Sequence, residues 1–185
     1  MPILKEETSM YPANLLDAPP SDQMNRRWLV LHTKARQEKS LARDLVKFSI
    51  PFFLPLVKKT SIVRGRKRTS FVPLFGGYVF LFASEEERLR SFTTNRIAHS
   101  LAVEDQSQLA FDLLQIHRLI AADAPLTVES RLGPGQQVRV RQGAFAGLEG
   151  IVLKRRGETR LLVSINFLQQ GASVEIDDFM LDLLE

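Results

Sequence analysis

The densest run of hydrophobic residues in this chain is YVFLFA at 78–83, which directly follows Gly76-Gly77. An apolar run of this length after a glycine pair predicts a strand that is entered through a turn. Alternate side chains of a strand point to opposite faces, so Tyr78, Phe80 and Phe82 share one face. That aromatic face has two open interpretations, a packed core and a partly exposed binding surface.

Helical spacing and capping residues predict further elements on either side of this strand. Leu41, Leu45 and Phe48 recur at i, i+4 and i+7, which is typical of a helix with one apolar face. Ser84 precedes a run of glutamates, which is typical of a helix N-terminus. The predicted strands lie at 28–33, 50–57 and 97–103, and the predicted helices lie at 37–48, from Ser84 to about Thr94, and from Ser107 onward.

The hydrophobic period changes to two from Gln136 onward. Short strands with glycine-containing turns predict a small closed β-barrel, because closure removes sheet edges. The fold class is therefore predicted as α+β, with an antiparallel sheet flanked by helices and then a barrel. The predicted parts are a disordered tail at 1–25, an N-terminal domain at 26–122, a linker at 123–134 and a barrel domain at 135–185. For the tail, a docking segment that uses Tyr11, Leu15 and Leu16 is the alternative.

Composition limits the classes of function. The 185 residues are 44% hydrophobic and 25% charged, which is typical of a soluble globular protein, and no run approaches a membrane span or a secretory signal. The absence of cysteine excludes disulfides and thiolate metal sites and suits the cytoplasm. The three histidines lie far apart, and no catalytic constellation or cofactor motif occurs. We therefore predict no enzyme activity, no catalytic residues, no metal and no cofactor.

Positive charge is concentrated at 58–70, a segment with six basic residues and no acidic one. Gly65 near its middle predicts the tip of a β-hairpin. A solvated loop and a contact with phosphate backbone both remain open as interpretations. The basic residues are Lys58, Lys59, Arg64, Arg66, Lys67 and Arg68.

The glycine spacing at 138–152 resembles the KOW motif at every anchor position. The anchors are Val138, Val140, Gly143, Phe145, Gly147, Gly150 and Val152. Glycines supply the backbone freedom of a wide turn between two strands, and the phenylalanine projects from that turn. The resemblance implies an SH3-like barrel that associates with the RNA machinery.

The N-terminal half resembles the NusG N-terminal domain, and this domain followed by a KOW barrel is the layout of the NusG family. The resemblance covers about residues 27–184. The usual Phe-Pro-Gly-Tyr or Phe-Pro-Asn-Tyr of the family is here Phe75-Gly76-Gly77-Tyr78, so the proline is missing. The matching segments are Trp28–Leu31, Phe52–Pro55, Pro73–Phe80 and Thr94–Arg96.

The resemblance implies a bacterial transcription elongation factor that binds the clamp helices of RNA polymerase and favours processive transcription. By position, Phe75, Tyr78, Phe80 and His32 match the aromatic groove that accepts those helices. The extended N-terminus, the basic hairpin and the altered turn favour a specialised RfaH-like antiterminator over a housekeeping NusG that acts in pausing and Rho-dependent termination. A ribosome-associated KOW protein that binds RNA is the alternative from another class. We predict a cytoplasmic monomer.

The resemblance also assigns contacts with nucleic acid and with other proteins. Lys34 and Arg96 match positions that contact the non-template DNA strand in RfaH, and Arg36 and Lys39 lie at the same helix entrance. The other predicted nucleic-acid-binding residues are Arg64, Arg66, Lys67 and Arg68 of the basic segment. In the barrel, Phe145, Ile165 and Phe167 fall where the family binds ribosomal NusE and, in some members, Rho. The RfaH barrel can also exist as a helical hairpin, but the strict alternation here favours strands.

Overall fold

The computed structural model describes residues 7–17, 25–129 and 135–184. The chain divides into two compact units, one that ends at Gln106 and one that begins at Ser107. Helices and strands occur together, so the predicted α+β class is confirmed. The division differs from the predicted domain boundaries at 122 and 135, because the helix that begins at Gln106 is grouped with the second unit.

The first unit is an antiparallel sheet with two helices and a separate hairpin. Its elements are β1 (Met10–Tyr11), β2 (Arg27–Thr33), α1 (Glu38–Lys47), β3 (Phe52–Phe53), β4 (Leu56–Val63), β5 (Arg66–Pro73), β6 (Tyr78–Ala83), α2 (Glu85–Phe92) and β7 (Ile97–Ala102). The sheet has the strand order β1-β3-β6-β2-β7, and β4 and β5 form a two-stranded sheet. The hydrophobic run that stands out in the sequence is thus the middle strand, β6.

One face of this sheet forms an aliphatic core with α1. Alternation places Val79 and Leu81 on this face, and Leu41 and Leu45 of α1 are buried in the same cluster. Phe48, the third residue of the predicted helix face, is partly buried against the cluster. The amphipathic pattern therefore located both the helix and the face that it buries.

Helix α2 begins as the sequence predicts, with a reciprocal cap at Ser84. The Ser84 hydroxyl accepts from the Glu87 backbone N–H at 3.3 Å, and the Glu87 carboxylate accepts from the Ser84 N–H at 2.9 Å. Arg26 donates to both Glu87 oxygens, at 2.6 and 2.9 Å. Burial acts to raise the pKa of Glu87, but the hydrogen bonds from Arg26 and Ser84 outweigh it and the pKa is lowered.

The expectation of a disordered N-terminal tail is wrong for residues 7–17. Met10 and Tyr11 form β1, which pairs with Phe53 and Phe52 of β3, and Leu15 is only 1% exposed. Burial of these apolar side chains offsets the entropy lost on ordering the segment. Residues 1–6 and 18–24 of the predicted tail lie outside the described residues.

Two further segments differ from their predictions. The strand predicted at 50–57 is interrupted at Pro55, so β3 ends at Phe53 and β4 begins at Leu56. Part of the predicted linker is a strand, since Thr127–Glu129 pairs with the second unit's sheet. Residues 130–134 of that linker lie outside the described residues.

The second unit combines one helix with an antiparallel sheet. Its elements are α3 (Gln106–Ala121), β8 (Thr127–Glu129), β9 (Gln137–Val140), β10 (Glu149–Arg155), β11 (Glu158–Ile165), β12 (Gln170–Glu175) and β13 (Leu181–Leu183). The strand order is β13-β9-β10-β11-β12-β8. In the described residues no pairing joins β13 to β8, so the structure does not show a closed barrel. None of the helices in the described ranges has the length and hydropathy of a transmembrane helix.

Candidate binding surfaces

The sheet face of the first unit that lies opposite the aliphatic core carries aromatic side chains from four strands. Directly opposed residues of antiparallel strands share a face, and this register brings the rings together. The ring centroids of His32 and Tyr78 are 5.1 Å apart, and those of His32 and His99 are 4.8 Å apart. We call this surface the ring face; its members are Trp28, His32, Phe53, Tyr78, Phe80, Phe82 and His99.

The predicted polymerase-binding residues differ in exposure. Phe75 is 1% and Phe80 is 0% exposed, and their rings meet edge to face at a centroid distance of 6.3 Å. Tyr78 and His32 are half-buried. The structure therefore places Phe75 and Phe80 in the packed interior, where they support the sheet, and leaves Tyr78 and His32 partly accessible.

His99 is a member of the ring face that the sequence reasoning missed. Its imidazole is exposed and stacks on that of His32, its partner in the β2–β7 register. The available signal was its position in the predicted strand 97–103, but pairing with β2 could not be read from spacing. Nδ1 of His32 is buried and has no hydrogen-bond partner among the described residues, which is uncommon for a buried polar atom.

The glycine pair before β6 is held in place by a buried carboxylate. The Gly77 backbone N–H donates to Glu38 Oε1 at 2.7 Å, and the Gly77 carbonyl accepts from the Thr33 N–H at 2.8 Å. Glu38 is only 9% exposed. Because Gly77 precedes Tyr78, these two bonds fix the start of β6 and the direction of the Tyr78 side chain.

The predicted DNA-contacting residues of the first unit lie partly together. The Lys34 N–H donates to the Arg96 carbonyl at 2.8 Å, so these two residues are adjacent. The Arg96 guanidinium donates to Asp44 at 2.7 Å and to Gln37 at 2.6 Å. Partial burial acts to raise the pKa of Asp44, but hydrogen bonds from Arg96 and Lys47 lower it overall. Arg96 is thus already neutralised by a carboxylate.

The side chains of Lys34, Arg36 and Lys39 are more available for contact with DNA than that of Arg96. Lys34 and Arg36 are exposed, and Lys39 is half-buried. Lys34 donates to Asn95 Oδ1 at 2.6 Å, which is a neutral partner. The charge of this corner is therefore carried by the lysines and Arg36 and not by Arg96.

The basic segment forms the predicted hairpin, with its turn at Arg64-Gly65. Its base is fixed, since Leu56 belongs to the aliphatic core and the Leu74 N–H donates to the Pro55 carbonyl at 2.8 Å. All six of its basic residues are exposed. We call this element, residues 56–73, the basic hairpin.

The three predicted partner-binding residues of the second unit also differ in exposure. Phe145 is half-buried in the loop between Gly143 and Gly147, and it lines a cavity of about 430 Å³ together with Arg160 and Ile176. Phe167, in the single turn that follows β11, is 40% exposed. Ile165 is 0% exposed, so it belongs to the core and cannot meet a partner directly. No group of three or more potential metal ligands occurs in the described ranges.

Residues 26–109 match the family model NusG, described as "Transcription termination factor nusG". The matched stretch is somewhat less than half of the chain, and it contains β2 to β7 and therefore the whole ring face. This stretch is thus similar to the NusG family. Among solved structures, a chain in the crystal structure of the MjSpt4:Spt5 complex, conformation B, is 12% identical. The match covers 85% of this chain and 97% of that chain with a TM-score of 0.27, which does not establish a common fold over this length.

Proposed function

We propose that this protein is a transcription elongation factor that binds RNA polymerase through the accessible part of the ring face. Tyr78 and His99 contact the polymerase directly, and the His32 ring packs against both of their rings. The observation that carries the proposal is the NusG family match, because residues 26–109 include every member of the ring face. A factor that acts by binding polymerase needs no catalytic residues of its own, and the sequence contains no recognisable catalytic constellation.

The chemistry of this surface fits a helical protein partner. Half-buried aromatic side chains lose little conformational freedom on binding and supply most of the affinity in many interfaces. A helix of the partner would lay apolar side chains on the rings, as in other helix-in-groove complexes. The clamp helices of RNA polymerase are the partner that the NusG resemblance implies.

The test is the double variant Tyr78→Ala with His99→Ala, both outside the packed interior. We expect its affinity for core RNA polymerase to fall at least tenfold, because an interface hot spot contributes about 2 kcal/mol or more. Biolayer interferometry measures the affinity, and Trp28 fluorescence reports folding. Phe111→Ala, which removes a ring exposed elsewhere, is the matched control. Unchanged affinity of the double variant would refute the proposal.

The basic corner of the first unit and the second unit have secondary roles in this proposal. Lys34, Arg36 and Lys39 hold phosphates of the non-template DNA strand, because their charges have no carboxylate partner among the described residues. The second unit is a KOW-type barrel that recruits ribosomal NusE or Rho through Phe145 and Phe167. The supporting observations are the glycine turn around Phe145, the cavity beside it and the exposure of Phe167.

A further inference from the structure

The basic hairpin groups six exposed cations on one element. Elsewhere in the described parts of both units, ten lysines and arginines form ion pairs with acidic side chains. Within the described residues no acidic side chain pairs with a cation of the basic hairpin, and 58–70 contain no acid. Exposed cations that are left free in a chain with many ion pairs indicate a polyanionic partner.

The β4–β5 register separates these cations from one another and places them on two faces of the hairpin. Each cation on a strand stands opposite an uncharged residue, so no directly opposed pair repels. Alternate pairs lie on opposite faces. One side, which we call the arginine face, consists of Lys59, Ser61, Val63, Arg66, Arg68 and Ser70. The other side, the lysine face, consists of Lys58, Thr60, Ile62, Lys67, Thr69 and Phe71.

We propose that the basic hairpin binds duplex DNA by laying its arginine face into the major groove. A two-stranded β-ribbon fits that groove, which is about 12 Å wide, and arginine can bond bidentately to the edge of guanine. At about 3.4 Å per residue, the eight-residue strands extend about 27 Å from the base of the hairpin. Lys58 and Lys67 then neutralise phosphates beside the groove.

Two features favour B-form duplex over other nucleic acids. Single strands are held by aromatic side chains on which bases stack, and the strands of the hairpin offer only Phe71, on the lysine face near the base. The major groove of A-form RNA is too deep and narrow for side chains to read. Hydroxyls of Ser61 and Ser70 beside the arginines add groups that bond to base edges. The hairpin contains no ring-face residue, so this proposal stands or fails independently of polymerase binding.

The experiment measures fluorescence anisotropy of the full chain with a duplex DNA of about two helical turns, its single strand and the matching RNA duplex. We expect Arg66→Ala with Arg68→Ala to weaken duplex DNA binding about tenfold or more. Lys58→Ala with Lys67→Ala removes the same charge and is the matched control. We expect it to weaken binding less and to lower the salt slope by about 0.9 for each phosphate that is no longer neutralised.

Arg66→Lys with Arg68→Lys keeps the charge and the fold, and we expect it to lose affinity because lysine cannot bond bidentately. Equal losses in the arginine-face and lysine-face variants would show delocalised charge only and overturn the proposal. Equal affinity for the single strand or the RNA duplex would also overturn it. So would displacement of the duplex by polyglutamate at equal charge, because that result assigns the hairpin to an acidic protein. Retained polymerase binding in the arginine-face variant distinguishes a failure here from a failure of the polymerase proposal.

Discussion

Gly76 and Gly77 are adjacent in sequence, but only Gly77 is required to be glycine. Its φ is +84°, and a Cβ there would lie 3.4 Å from Nε2 of His32. A Cβ on Gly76 would meet no atom within 4 Å. The sequence identified a turn that needs backbone freedom, whereas the structure shows which residue adopts the left-handed conformation.

We expect Gly77→Ala to lower the free energy of unfolding by about 1–2 kcal/mol, because L-residues are strained at positive φ. Gly76→Ala is the matched control and should change stability by less than about 0.5 kcal/mol. Urea denaturation followed by the fluorescence of Trp28, the one tryptophan, measures both. A comparable loss of stability in Gly76→Ala would show that the turn does not depend on glycine at position 77 in particular.

Glu38 shows why residue-scale prediction stopped short. In the sequence it is an ordinary acidic residue at the start of an amphipathic helix, where the helix dipole stabilises a negative charge. Folding turns its carboxylate toward the backbone N–H of Gly77, a residue that is distant in sequence. His99 was missed for the same reason, since its stacking on His32 depends on strand pairing and not on local pattern.

At the scale of elements, the N-terminal segment 7–17 becomes part of the sheet. Its strand is only two residues long, so hydrogen bonds alone stabilise it little. Leu15 is buried, and Ser9 accepts a backbone hydrogen bond from Leu54 at 2.6 Å. The segment is therefore anchored mainly by side-chain burial.

We expect Leu15→Ala to destabilise the first unit by about 2–5 kcal/mol, the usual cost of truncating a buried leucine. Leu16→Ala, at a half-buried neighbour, should cost clearly less. Thermal unfolding monitored by circular dichroism gives the two shifts in Tm. Equal shifts would mean that Leu15 is not the anchor of the segment.

At the scale of the whole molecule, charge is divided unevenly. The six cations of the basic hairpin exceed the net charge of +4, so the remainder of the chain is net acidic. Positive charge is thus concentrated on one exposed element. The ring face and the basic hairpin do not share residues, which lets their roles be separated by mutation.

We expect the protein to raise readthrough of a terminator in single-round transcription, as an antiterminator does. The Tyr78→Ala and His99→Ala variant should lose this activity because it no longer binds polymerase. The arginine-face variant should bind polymerase normally and lose readthrough only on templates whose duplex it contacts. A protein that instead lowers readthrough when Rho is present would act as the housekeeping alternative.

The sequence by itself determined several of the elements, since apolar period, capping residues and glycine position are local signals that survive in any fold. The amphipathic face of α1, the cap at Ser84, the central strand β6 and the hairpin at Arg64-Gly65 were all set in this way. Only the tertiary structure decided which rings are accessible, because burial of Phe75, Phe80 and Ile165 depends on what packs over them. The neutralisation of Arg96 by Asp44 and the docking of Leu15 depended likewise on contacts between residues far apart in the chain.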